Sequence, residues 1–124
     1  MNQPNQAAAG VALLLWSTDP HAPHLLAAPF MHAASAAAMD VTVEIYFTAR
    51  SVHLLVPGLA EAIRLSAGGN RTVLELMREA VAQGARLLAC SDALQTQGID
   101  AACLIAECTG RGGAVQFMAR TLVS

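Results

Sequence analysis

At 124 residues the chain is the size of one ordinary domain. Seven basic against nine acidic side chains give a formal net charge of −2, with no basic patch and only 4% aromatic residues, so nucleic-acid binding is not expected. Every basic residue is an arginine, which excludes a Walker lysine, a Schiff-base lysine and covalent pyridoxal phosphate chemistry on this chain.

Residues 1–10, "MNQPNQAAAG", read as a flexible tail before a single domain over 11–124, and they lack the positive charge of a secretory signal. The run "VALLLW" (11–16) is continuously apolar, as expected of a strand covered on both faces. "STDPHAPH" is a loop. A residue before proline resists the α conformation, so the main helix is expected from Pro29 to about Met39, with a short earlier turn from Asp19 left open. "VTVEIYF" (41–47) is β-branched and aromatic, hence a strand. Pro57–Gly58 punctuates the next segment, a short helix is expected over Leu59–Leu65, and "SAGGN" is a loop.

"TVLELMREAVAQGA" carries the clearest helical signal. Thr72 and Glu75 form a capping box, Val73, Leu76, Met77, Ala80 and Val81 share one face, and Gly84 is a natural stop. "RLLAC" (86–90) is then a short strand, and "SDALQTQ" a short helix with Ser91 as N-cap and Gly98 as stop. "AACLIAE" fits helix or strand, "GRGG" is a loop, and "AVQFMARTL" is a final helix.

Strands alternating with helices imply βαβ units, hence an α/β fold with a mostly parallel sheet. No apolar run is long and uninterrupted enough to span a bilayer, and a cytoplasmic location is expected. A 55% hydrophobic fraction and a mean hydropathy of +0.47 exceed what so small a chain buries by itself, which points to a homo-oligomer.

In parallel sheets, ligands and reactive groups gather beyond the carboxyl ends of the strands. That rule selects Ser17, Thr18, Asp19, His21 and His24 after the first strand, Thr48, Arg50, Ser51 and His53 after the second, and Cys90 after the third. Glu107, Cys108 and Thr109 follow a fourth if "AACLIAE" is one. Cys90 has the strongest local argument. At the start of a helix, free backbone N–H groups and the dipole favour a thiolate, by about 0.3–1 kcal/mol. Asp92 acts against it, and an arginine such as Arg50 from the neighbouring loop acts for it. Ordinary core packing stays open beside this reading, because free cysteines are among the most buried residues.

The other groups carry weaker patterns. Three cysteines, Cys90, Cys103 and Cys108, form no CxxC and leave an odd thiol, so no disulfide framework or structural zinc site is expected. Cys103 reads as packing and Cys108 as a candidate second thiol. His21 and His24 are spaced HxxH around a proline without an HExxH motif, His32 reads as a core or interface residue, and no metal or other cofactor is expected. "TGRGG" matches neither the P-loop nor GxGxxG, and Ser17 and Ser51 lack a nucleophile elbow. Glu44 reads as an alternating polar position or an interface contact.

The opening strand, the alanine-rich helix, "VTVEIYFT" and above all "LMREAVAQGARLLACSDALQTQGI" resemble the DsrE/DsrF-like sulfur-relay family, which includes TusD-type carriers and YchN-like proteins. The resemblance covers roughly residues 11–120. It implies a flavodoxin-like three-layer sandwich with a mostly parallel sheet of about five strands, assembled into a homotrimer or homohexamer. Cys90 occupies the position where carrier members hold a persulfide. The implied partners are sulfur donor and acceptor proteins, with thiolate attack on a sulfur–sulfur bond as the transfer step. Arg50 and His53 are then candidate electrostatic or proton-transfer helpers. Two other functions stay open: a small-molecule-binding or regulatory oligomer without sulfur transfer, and a thiol redox protein cycling Cys90 and Cys108.

Overall fold

Four strands form one parallel sheet in the order in which they occur along the chain: β1 (Gly10–Leu15), β2 (Thr42–Phe47), β3 (Arg86–Ala89) and β4 (Cys108–Arg111). The structure is a computed structural model that describes residues 10–122. The helices are α1 (Pro23–Ala38), α2 (Leu59–Ala62), α3 (Val73–Ala82), α4 (Ser91–Thr96) and α5 (Ala114–Leu122), with 3-10 turns at Ala49–Leu55 and Ala101–Cys103. All but Gly10 of the tail expected over residues 1–10 lies outside the described residues, and Gly10 opens β1.

Strands that add in sequence order, joined by right-handed crossovers, place the connecting helices on one face of the sheet. Alternation along β2 shows the result. Val43, Ile45 and Phe47 join Phe30 and Ala33 of α1, Met77 and Ala80 of α3, and Leu87 and Ala89 of β3 in one buried core. Phe30 stacks on Phe47 with ring centroids 6.1 Å apart. Each fully buried Val, Leu, Ile, Phe or Met side chain among them contributes about 1.5–3 kcal/mol relative to its exposed state. The capping box of α3 is formed in both directions: Thr72 Oγ1 accepts from the Glu75 N–H, and Glu75 Oε1 accepts from the Thr72 N–H.

The opposite face carries Glu44, Tyr46 and Leu88 and is covered by α5, which makes the third layer. Phe117 meets Tyr46 edge-on at 5.3 Å. Glu44 is buried, yet fully partnered: it accepts from Tyr46 Oη at 2.7 Å and from Arg120 Nε at 2.9 Å, with Arg86 Nη1 at 3.5 Å. A carboxylate on a buried sheet face is costly unless paired and hydrogen-bonded, so these partners explain why Glu44 is tolerated there. It is therefore an internal anchor for α5. Burial, then the hydrogen bond to Glu44, raises the Tyr46 hydroxyl above its ordinary pKa.

Several elements differ from expectation. The sheet has four strands among the described residues, not about five, because the segment after β4 turns directly into α5. α1 begins at Pro23, not Pro29. Pro23 occupies the first turn, where its missing N–H costs nothing, and Pro29 sits inside the helix. The carbonyl freed by Pro29 belongs to Leu25, an exposed residue whose backbone water can satisfy. Ser91 is the first residue of α4, and Cys90 is the N-cap. The fourth strand is "CTGR", not "AACLIAE", and it takes half of the expected "GRGG" loop.

The glycines explain that last difference. A Cβ on Gly110 would lie 2.7 Å from Leu88 Cδ2, and one on Gly112 would lie 2.7 Å from Tyr46 Cε2. Low strand propensity is accepted here for close approach to the β2–β3 surface. We expect Gly112→Ala to cost about 1–3 kcal/mol by overpacking, lowering Tm by roughly 5–15 °C. Gly113→Ala, whose Cβ would meet nothing closer than 3.8 Å, serves as the control. Equal melting temperatures for the two variants, read by circular dichroism, would contradict the packing account.

Candidate functional site

The rim at the carboxyl ends of the strands is built by backbone and one buried hydroxyl. The Thr48 N–H donates to the Leu15 carbonyl at 3.0 Å, and Ser51 Oγ lies 2.7 Å from the carbonyls of Leu15 and Thr48. Ser51 thus clasps β1 to β2. Between them Ala49 has a φ of 49°, a left-handed conformation uncommon for a residue with a side chain.

β3 ends with the Cys90 N–H donating to the Phe47 carbonyl at 2.9 Å, and the next turn is already α4. Cys90 is half-buried, and its sulfur makes no capping bond. β4 ends in parallel fashion. The Gly112 N–H donates to the Ala89 carbonyl at 3.0 Å, and Gly113 caps α5 by accepting from the Phe117 N–H at 3.0 Å. The first turns of α4 and α5 therefore meet around one thiol. A Cβ on Gly113 would touch Cys90 Sγ at 3.8 Å, so the glycine keeps the lip over the sulfur thin.

Cys90 lines a cavity of about 440 Å³. Leu14, Tyr46, Phe117 and Met118 supply apolar walls, and Arg111 and Asp92 are its charged members. Arg111 Nη2 donates to the Ala101 carbonyl at 3.2 Å. Among the described residues, neither Arg111 nor Asp92 has an ion-pair partner. The arrangement offers a free thiol, a cation, an anion and space for a small molecule.

Other residues selected from sequence lie elsewhere. Arg50 is exposed in the 3-10 turn and does not line the cavity. His53 Nε2 sits 3.0 Å from Gln97 Oε1, at the far end of α4 from Cys90; six residues of helix span about 9 Å. Cys108 pairs in register with Leu87, three residues before Cys90. At about 3.3 Å per residue along the strand and about 4.8 Å between strands, the α-carbons are roughly 11 Å apart, beyond the reach of about 7 Å for a disulfide. The Cys108 thiol lies 3.6 Å from the Gly110 carbonyl, and burial pushes its pKa up from 9.0. Cys103 is exposed, with its sulfur 3.6 Å from Asp100 Oδ2. Glu107 accepts from Arg78 Nε at 2.8 Å, which holds its carboxyl below the ordinary range. His32 is exposed, so it is not a core residue. Among the described residues no three His, Cys, Asp or Glu side chains gather as a metal site would need.

Sequence reasoning missed Arg111, Gly113 and Phe117. The available signal was "TGRGG" leading into an amphipathic helix. Without the strand assignment, nothing tied it to Cys90.

The model of the DsrE/DsrF-like family matches residues 11–120. No curated protein matches the sequence significantly. Among solved structures, the fold is similar to the ychN protein from E. coli, with TM-score 0.70, 15% identity and coverage of 92% of each chain. It is also similar to MTH1491, a protein of unknown function from Methanobacterium thermoautotrophicum, with TM-score 0.64, 20% identity and coverage of 90% of this chain and 89% of that one. A third likeness is to BT1422 from Bacteroides thetaiotaomicron, also of unknown function, with TM-score 0.63, 16% identity and coverage of 97% and 92% respectively.

The three thiols should separate by accessibility. Iodoacetamide at neutral pH is expected to label Cys103 and Cys90 and to spare Cys108, as read by peptide mass. Gly113→Val thickens the lip and should slow Cys90 labelling several-fold without changing Cys103; an unchanged Cys90 rate contradicts the geometry. Cys108 also sets a pH dependence. The raised folded pKa means the native state holds this proton more tightly than the unfolded chain does. Its contribution is complete below its ordinary value of 9.0 and is lost as pH rises through the folded value. Urea unfolding above pH 9 should therefore show a steeper loss of stability in the wild type than in Cys108→Ala.

Proposed function

Because this chain belongs to the DsrE/DsrF-like family, we propose that it is a sulfur-relay protein that carries sulfane sulfur as a persulfide on Cys90 between protein thiols. The observation that carries this reading is the half-buried Cys90 thiol lining a cavity at the carboxyl rim of a parallel sheet. A sulfur sealed in the core would have no route to a partner, and a fully exposed persulfide would lose its sulfur to any passing thiol.

The transfer is a displacement. The Cys90 thiolate attacks the outer sulfur of a donor persulfide, a new sulfur–sulfur bond forms on Cys90, and the donor leaves as a thiolate. The reverse displacement on an acceptor thiol completes the relay. Arg111, which shares the cavity wall with Cys90, brings a positive charge to the side from which an anionic donor or acceptor thiol would approach. We assign the electrostatic helper role to Arg111 in place of Arg50 and His53, which do not line the cavity. A Cys90–Cys108 redox cycle draws no support from the strand register.

The functional unit we propose is a cytoplasmic homotrimer or homohexamer. α5 supports the oligomer: Val115 and Leu122, two helical turns apart on one side of it, are 86% and 77% exposed. Among the described residues no helix is long and apolar enough to cross a membrane.

Incubation with a cysteine desulfurase and cysteine, followed by intact mass measurement, tests the carrier. The expected result is a gain of one sulfur atom that dithiothreitol removes and that Cys90→Ser lacks while Cys103→Ser and Cys108→Ser retain it. A reducible gain that persists in Cys90→Ser, or no gain from this or any other persulfide donor, overturns the reading.

A further inference from the structure

The cavity is larger than its cargo needs. One added sulfur atom requires a few tens of Å³, comparable to the share of a water molecule in the liquid, about 30 Å³. The cavity beside Cys90 measures about 440 Å³, within the range of about 300–1,000 Å³ typical of small-molecule sites. Its walls are mostly apolar, yet it holds two charges of opposite sign, Arg111 and Asp92, and neither has an ion-pair partner among the described residues. Asp92 stands in the first turn of α4, where a carboxylate suits the helix dipole, and its place on the cavity wall also offers an anion to the cationic group of a ligand.

We infer that this cavity receives the persulfide of a zwitterionic amino-acid thiol, with its carboxylate facing Arg111, its ammonium facing Asp92 and its sulfane sulfur presented to Cys90. The inference rests on the carrier reading and adds a low-molecular-weight sulfur donor to it. The step balances without an external oxidant. The Cys90 thiolate attacks the terminal sulfur of R–S–SH, the Cys90 sulfur–sulfur bond forms as the bond within R–S–SH breaks, and the electron pair departs with R–S⁻. The proton stays on the transferred sulfur, and the products are Cys90–S–SH and the amino-acid thiolate. Asp92 and Arg111 are both exposed, so the selection comes from attraction: a zwitterion can pair with both charges at the cavity mouth, and a neutral persulfide of equal reactivity pairs with neither.

Two measurements test this. Loading of Cys90 is followed by intact mass with cysteine persulfide and, separately, with the neutral 2-hydroxyethyl persulfide. We expect saturation with the former and an apparent second-order rate at least tenfold above the latter. That ratio should fall severalfold in Arg111→Gln and in Asp92→Asn, and be restored by Arg111→Lys. In the second measurement S-methylcysteine, a zwitterion with no thiol, should protect Cys90 from iodoacetamide in the wild type and fail to do so in Arg111→Gln. Equal, unsaturating rates for the two persulfides with no protection overturn the substrate assignment and leave the carrier intact, as does loading by a desulfurase persulfide alone. Protection without sulfur gain from any donor removes the carrier and this donor role together. The protection assay therefore distinguishes the two failures.

Discussion

A single handedness rule organises this molecule. Four parallel strands add to the sheet in sequence order, and right-handed crossovers carry α1, α2 and α3 to the same face. That face becomes the main core, built on Val43, Ile45, Phe47 and Leu87. The other face is left to the one helix that follows the last strand. All four strands also point the same way, so every carboxyl end opens on one rim. The position of Cys90 and the position of α5 are both consequences of that topology.

The second face is held by a few contacts that matter for the site. Phe117 rests on Tyr46, and Arg120 reaches Glu44 on the sheet. These contacts fix the helix whose first turn, with Gly113, roofs the thiol. The three cysteines then divide by environment rather than by sequence context. Cys103 is open to solvent, Cys108 is tucked into β4 with its ionisation suppressed by burial, and Cys90 lines a cavity together with Asp92 and Arg111. Sheet, helix and cavity thus give the three thiols three different surroundings.

Local signals made much of this fold legible. β2 is β-branched and aromatic with two-residue alternation, and α3 carries a capping box and a clean apolar face, so both read directly from the sequence. The placement of Cys90 at a strand end followed from its neighbours "RLLA" and a glycine-closed helix. β4 was hidden because its glycines are set by Leu88 and Tyr46, residues remote in the chain. With β4 hidden, Arg111 and Gly113 could not be joined to Cys90, and Arg50 took their place by proximity in the strand order. Glu44 reads from sequence as an alternating polar position or an interface contact because its partners, Arg86 and Arg120, lie 42 and 76 residues further along the chain. α1 shows a related limit: which proline starts a helix depends on where the freed carbonyl finds solvent.

The central claim is that Cys90 holds sulfur in transit. The most direct measurement is a transfer experiment with radiolabelled sulfur: the protein is loaded, freed of donor, and mixed with a second protein that carries one accessible thiol. The account predicts that label leaves Cys90 and appears on the acceptor cysteine in a reducible bond, at a rate proportional to acceptor concentration. Label that stays on the protein, or that is released only as free sulfide without reaching the acceptor, would contradict it.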